Sequence, residues 1–256
     1  MDWALLAIAH FFGFALTLYI IFANDYADQE TDSLNQTFTI FSGGSRALVN
    51  HTLRPKEVFY AAWLMAVVCL ILGIVLTSFW ERYYSIGFVV FSLLLLWAYS
   101  YPPIQLSYRG GGEFLQAIGV GIVLPVFGFY IQSNQILEFP IEVLILLFPT
   151  NLAIAITTSL PDQISDSLSK KRTLTVILGD SYAKICILIL QFISICLVYY
   201  WYESSGYIYL IPSGILLLSL AWIRSKPGEL TLSLFIFLQI LVTLSVEFCL
   251  IIFYFT

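Results

Sequence analysis

Two short stretches hold the residues best able to do chemistry. The first, Asn24-Asp25-Tyr-Ala-Asp28-Gln-Glu-Thr-Asp32, spaces Asp25, Asp28 and Asp32 by three and four residues directly after a long apolar run. On a continuing helix these three carboxylates share one face, while Glu30 falls elsewhere, where solvent is its expected partner. The second, Pro161-Asp162-Gln-Ile-Ser-Asp166, repeats the four-residue spacing, and Lys170-Lys171-Arg172 follows one helical turn later. Two carboxylates about 5 Å apart repel by roughly 3 kcal/mol at an effective dielectric near 20, and by more where a helix enters a low-dielectric medium. A divalent cation relieves that repulsion. Mg²⁺ typically takes one or two carboxylates and fills its other positions with water and phosphate oxygens, which Lys and Arg can clamp directly.

That chemistry suits an allylic prenyl diphosphate. Neutralising the leaving diphosphate lets its C–O bond ionise, and an electron-rich carbon then captures the allyl cation. The plainer alternative is that each cluster is a set of solvated charges at a helix end. For one cluster the two readings are evenly matched. Two clusters at helical spacing, on the same membrane face and each beside basic residues, favour a site.

The elements that must position these groups follow from composition. The chain has 256 residues, 60% hydrophobic and only 11% charged, against about 25% charged in an ordinary soluble domain. It reads as one all-helical, polytopic membrane domain covering 1–256. A bilayer core needs roughly 17–25 apolar residues per helix. Eight stretches qualify: 3–23, 57–79, 84–100, 113–132, 140–160, 181–202, 206–223 and 230–254. Short breaks at Glu81-Arg82 and Glu203-Ser-Ser-Gly206 separate helices that must run antiparallel. The first stretch lacks the basic start and small-residue cleavage site of a signal peptide. Cys69, Cys186, Cys196 and Cys249 all sit in apolar runs without paired spacing, so neither a disulfide frame nor a metal site is expected from them.

Sidedness comes from the basic residues. Arg46, Arg54, Lys56, Arg109, Lys170, Lys171, Arg172, Lys184, Arg224 and Lys226 fall on one face, and of the eleven Lys and Arg residues only Arg82 lies opposite. The positive-inside rule makes the crowded face cytoplasmic and puts both termini outside. The two long connections, 24–56 and 161–180, and the stretch Tyr108-Arg-Gly-Gly-Gly-Glu113 lie on that cytoplasmic face, where function is expected. In the fourth stretch, Gly119, Gly121 and Pro125 indicate close packing and a kink, with room for an isoprenoid as the functional alternative. His10 is expected to hydrogen-bond between helices, His51 to be an ordinary loop residue, and the intramembrane Glu247 has no assigned role.

The order, spacing and membrane context of the two acidic motifs resemble those of the UbiA-type intramembrane prenyltransferases. Their N-D-x-x-D-x-x-x-D and D-x-x-x-D patterns match residues 24–32 and 162–166. The stretches GGSRALV (43–49) and KRTLTVILG (171–179) resemble the family's downstream segments. YRGGGE (108–113) is similar to a segment of the 1,4-dihydroxy-2-naphthoate prenyltransferases of menaquinone synthesis. The resemblance implies Mg²⁺ as cofactor, with Asp25, Asp28, Asp32, Asp162 and Asp166 as its ligands. Asp25, Asp28, Asp162 and Asp166 would be the catalytic carboxylates. Asn24, Arg46, Lys171 and Arg172 would bind the diphosphate, and Tyr108 and Arg109 would read the acceptor unless they form only a turn.

It further implies transfer of a polyprenyl group from a polyprenyl diphosphate to an aromatic acceptor, by a multi-pass protein of the bacterial plasma membrane. The expected partners are those two substrates and the bilayer, with no nucleic acid. The family fold has nine helices around a central cavity. Eight are counted here, so the first family helix is expected to be missing. Asn50-His51 departs from the family pattern, in which an acidic residue and Gly are common. Other acceptors remain open: 4-hydroxybenzoate, homogentisate, chlorophyllide or glycerol phosphate. A cation-coupled transporter is the alternative of a different class, although transporters place ions near the membrane midplane in broken helices, whereas these clusters lie at helix ends.

Overall fold

The computed structural model describes residues 1–42, 44–201 and 207–255. Its regular structure among these residues is entirely helical. The helices are α1 (Trp3–Ala27), α2 (Gln29–Leu34), α3 (Pro55–Trp80), α4 (Ser85–Ser100), α5 (Gly112–Ile118), α6 (Leu124–Ser133), α7 (Ile141–Ser159), α8 (Gln163–Leu168), α9 (Leu174–Leu178), α10 (Asp180–Trp201), α11 (Leu210–Ser219) and α12 (Leu230–Phe255). Among the described residues, six helical runs are long and apolar enough to cross a membrane: α1, α3, Gly112–Ser133, α7, α10 and α12. Two shorter apolar helices, α4 and Leu210–Trp222, complete the eight segments expected from hydropathy. The break at Glu203–Gly206 and Gly43 of the GGSRALV stretch lie outside the described residues.

Local chemistry explains where these helices begin and bend. Asp2 caps α1 by accepting from the N–H groups of Ala4 (2.8 Å) and Leu5 (3.2 Å), which have no partner within the helix. Pro55 opens α3, where a missing N–H costs nothing. Within Gly112–Ser133 the expected kink is a π-helical turn at Gly119–Val123, just before Pro125, and wide turns of this kind absorb a disrupted hydrogen-bond ladder. Close packing explains Gly121: a Cβ there would lie 3.1 Å from the Leu147 carbonyl oxygen and 3.3 Å from Asn151 Cβ.

The described residues divide into two compact units that interleave along the chain. The first comprises Met1–Ser33, Gly44–Leu106 and Ile122–Phe139. Its core is aromatic: Phe12 meets Phe127 edge-on at 5.0 Å, and Phe88 stacks on Phe127 at 5.0 Å and on Tyr130 at 5.9 Å. Such pairs are each worth about 0.5–1.5 kcal/mol beyond burial, and in lipid, packing of this kind replaces the hydrophobic effect as the driving force between helices. Arg82, which the sequence sets apart from the other basic residues, donates to the carbonyls of Ile131 (2.7 Å) and Trp80 (2.9 Å). His10 Nδ1 bonds Leu6 O at 2.8 Å, one turn back in its own helix, and not to another helix as expected. A ring exposed on the outer surface of α1 finds its own backbone carbonyl nearer than any neighbouring helix.

The second unit comprises Leu34–Gly43, Ser107–Gly121 and Pro140–Thr256. Ala117, Leu152, Ala153, Ile156, Ile187 and Phe235 form one of its cores. A buried polar network crosses α7, α10, α11 and α12. Thr150 Oγ1 donates to Gln191 Oε1 (2.8 Å), Gln191 Nε2 donates to Thr243 Oγ1 (2.9 Å), and Gln239 Nε2 reaches Ser219 Oγ (2.9 Å). Lys184, counted above among the basic residues of one face, is fully buried. Its ammonium pairs with Asp180 at 2.8 Å and donates to the Ser225 carbonyl.

Candidate functional site

The first acidic cluster is built where α1 gives way to α2. Helical hydrogen bonding continues through the junction, with Asp28 N–H donating to Asn24 O and Asp32 N–H to Asp28 O, each at 2.8 Å. The three aspartates therefore stay on one side of the backbone, as their spacing predicts. Asp25 and Asp28 are 5% and 3% exposed, whereas Glu30 is exposed to solvent.

Burial of two acids needs compensation, and the segment beginning at Gly44 provides part of it. Ser45 donates to the Asp25 carboxylate from its backbone N–H at 3.1 Å and from its hydroxyl. Arg46 donates to the Asp32 carbonyl at 3.3 Å from a left-handed backbone with φ of 57°, a conformation that costs a non-glycine residue energy and is met most often at functional sites. Between them Gly44 has φ of +65°, and a Cβ on it would lie 2.6 Å from Asp32 Oδ2 and 2.8 Å from Asp25 Oδ1. Two carboxylates of the motif thus converge on one glycine.

Helix α4 fixes the approach to this cluster. Ser100 Oγ donates to Asn24 Oδ1 at 3.1 Å, and the Tyr101 hydroxyl donates to the Ala23 carbonyl at 2.7 Å. Burial, aided by the charges of Tyr19, Tyr26 and Asp28, pushes the Tyr101 phenol up to about 12, so it remains a proton donor at any physiological pH.

The second cluster has its own support. Asn35 Nδ2 donates to Asp162 Oδ1 at 2.6 Å, and Thr37 Oγ1 donates to the Pro161 carbonyl at 2.6 Å. Asp166 is 2% exposed. Thr173 Oγ1 donates to its Oδ2 at 3.2 Å, and the Lys171 ammonium lies 3.9 Å from its Oδ1. The three consecutive basic residues separate clearly: Lys171 is 7% exposed, while Lys170 and Arg172 face solvent. Tyr108 ends a short 3₁₀ turn, half-buried, and Arg109 beside it is exposed.

The donors available to a metal are hard carboxylate oxygens, which suit Mg²⁺ rather than a thiolate- or imidazole-seeking ion. Among the described residues no group of three His, Cys, Asp or Glu side chains is placed to hold a metal ion by itself.

Sequence reasoning missed Ser45, Asn35, Thr37, Thr173 and Glu113. Each is a common polar residue; Ser45, Thr173 and Glu113 lie inside stretches already singled out (43–49, 171–179 and 108–113), whereas nothing in the sequence marks Asn35 and Thr37.

An all-helical, multi-pass membrane protein with paired buried aspartates at its helix ends is the class that fold and site define. The chain belongs to the UbiA prenyltransferase family, whose pattern matches residues 1–242. A curated relative, the 1,4-dihydroxy-2-naphthoate octaprenyltransferase of Bacillus subtilis (strain 168), is 25% identical over 169 residues, which cover 62% of this chain; the chain spans about half the length of that relative. In fold it is similar to the apo structure of a UbiA homolog from Aeropyrum pernix K1, with TM-score 0.72 and 14% identity, covering 97% of this chain and 90% of that one. It is also similar to a UbiA homolog from Archaeoglobus fulgidus bound to DMAPP and Mg²⁺, with TM-score 0.59 and 15% identity, covering 96% and 93%.

Proposed function

We propose that this protein is an enzyme that transfers a polyprenyl group from a prenyl diphosphate to an aromatic acceptor in an Mg²⁺-dependent reaction, with 1,4-dihydroxy-2-naphthoate as the acceptor. The observation that carries the reading is the convergence of Asp25 and Asp32 on Gly44 at the end of a membrane helix. Two carboxylates brought together at the edge of lipid repel, a divalent cation relieves that repulsion, and a diphosphate is a suitable co-ligand for such a cation. Family membership supports prenyl transfer, and the prenyl diphosphate and Mg²⁺ bound by the Archaeoglobus homolog support the donor and the ion. The naphthoate acceptor rests on the Bacillus relative and on the YRGGGE stretch.

Asp25, Asp28, Asp32, Asp162 and Asp166 would hold Mg²⁺, which when bound supplies Lewis acidity and charge neutralisation to the leaving diphosphate. Asn24 and Arg46, beside the first cluster, and Lys171 and Arg172, beside the second, would bring hydrogen bonds and positive charge to phosphate oxygens. Tyr108 and Arg109 orient the acceptor. The whole chain acts as one prenyltransferase domain in a bacterial plasma membrane, with the acidic clusters cytoplasmic and both termini outside. A terminal tag reached by an impermeant reagent only after membrane disruption would contradict that orientation.

The test is product analysis with purified protein, a long prenyl diphosphate and a panel of aromatic acceptors. Asp25→Ala and Asp162→Ala should each cut turnover at least about a hundredfold, and EDTA should stop the reaction while the helical circular dichroism persists. Full activity of both variants, or turnover undiminished in EDTA, refutes the proposal.

A further inference from the structure

Glu113 is the second residue of α5 and is 3% exposed, although it sits in the first turn of an apolar membrane helix. A carboxylate is costly there and is retained where it has a task. Its Oε1 accepts from the Leu174 backbone N–H at 2.7 Å, across 61 residues of sequence. Leu174 is the first residue of α9, whose N-cap, Thr173, makes no side-chain capping bond. The Thr173 hydroxyl is engaged elsewhere, with Asp166 Oδ2 at 3.2 Å and Thr175 Oγ1 at 3.0 Å. Glu113 therefore satisfies the first of the N–H groups that have no partner within α9.

The turn from Asp166 to Leu174 is pinned at three points. Lys171 N–H donates to Asp166 O at 2.8 Å, Thr173 bonds the Asp166 carboxylate, and Glu113 holds Leu174. Lys171 and Arg172 lie inside that pinned turn. The second oxygen, Glu113 Oε2, is buried without a hydrogen-bond partner among the described residues. Gly110 turns the neighbouring loop in a left-handed backbone that favours glycine. It has φ of +87°, and a Cβ there would stand 2.7 Å from Ile177 Cδ1 and 3.5 Å from the Arg172 carbonyl.

We propose that Glu113 is a positioning residue for the prenyl diphosphate, acting through Lys171, Arg172 and Thr173. The Gly110 and Glu113 positions of the YRGGGE stretch thus serve the donor rather than the acceptor. This rests on the prenyl-transfer reading above.

The test compares wild type, Glu113→Ala and Glu113→Gln in detergent. The measurements are geranyl diphosphate affinity with saturating Mg²⁺, the acceptor KM during turnover, and amide hydrogen exchange of residues 171–178 in the free protein. Losing a charge-assisted hydrogen bond that holds the turn should weaken donor affinity by about tenfold or more in Glu113→Ala, speed exchange at Leu174, and leave the acceptor KM unchanged. Glu113→Gln keeps a carbonyl oxygen for the Leu174 N–H, so it should restore slow exchange and most of the donor affinity. Wild-type donor affinity in Glu113→Ala, or a loss confined to the acceptor KM, overturns the assignment. A wild-type protein that binds no prenyl diphosphate overturns the functional reading and this assignment with it, which separates the two failures.

Discussion

Gly44 offers the sharpest perturbation of the first acidic cluster, because the substitution Gly44→Ala adds one methyl group and no charge. In a left-handed backbone the new Cβ costs about 1–2 kcal/mol. That alone lowers the melting temperature by only a few degrees in a chain of this size. The larger effect is steric. The methyl would sit 2.6 Å from Asp32 Oδ2 and 2.8 Å from Asp25 Oδ1, so each oxygen must retreat by roughly 0.6–0.8 Å to reach ordinary packing distance. Aspartate side chains are short. Asp25 is also held by Ser45, immediately beside the substituted residue, and cannot swing away without losing those bonds. Displacements approaching 1 Å at a reacting centre cost up to about a hundredfold in rate. The expected result is a ten- to hundredfold fall in kcat/KM by that estimate, with half-saturating Mg²⁺ shifted upward and a melting temperature near wild type. Turnover by detergent-purified protein across an Mg²⁺ titration reads all three. Activity within twofold of wild type at unchanged Mg²⁺ dependence would refute the idea that Asp25 and Asp32 share an ion at Gly44.

Asn35→Ala removes the 2.6 Å hydrogen bond to Asp162, a charged-group bond worth about 1.5–3 kcal/mol. Half-saturating Mg²⁺ should rise about tenfold by that measure, and an unchanged titration would mean Asp162 needs no such support. Gln191→Leu deletes the amide at the centre of the Thr150–Thr243 network while keeping its volume. Polar contacts within membrane helices average about 0.6 kcal/mol and reach about 1.7, so the melting temperature should fall by a few degrees while prenyl diphosphate affinity stays constant. No change in melting would show that the two threonines, 2.9 Å apart, satisfy each other fully without it.

The eight apolar segments and the aspartate triplet were legible because both depend on local quantities. Hydropathy over some twenty residues decides whether a helix suits lipid, and three- and four-residue spacing decides which side chains share a face. Even the kink near Pro125 announced itself, since a missing N–H acts within one turn. The basic residues were less transparent. Lys170, Lys171 and Arg172 are equivalent by type and adjacent in sequence, yet only Lys171 is buried beside Asp166. Lys184 was counted with the basic residues of the cytoplasmic face and is a fully buried partner of Asp180. Burial of a cation depends on what other elements bring to it, and no local pattern records that.

The same distinction separates what the sequence by itself determined from what the tertiary structure decided. Sequence set the spans, the two acidic motifs and the family resemblance, all of which rest on residue type and short spacing. Only the folded chain placed Gly44 and Ser45 against Asp25, Asn35 against Asp162, and Glu113 against Leu174. Those partners are 20, 127 and 61 residues apart in sequence. Pairs at such separations follow no helical period; they are selected when buried polar groups, deprived of water, must find hydrogen bonds wherever packing brings a donor within reach.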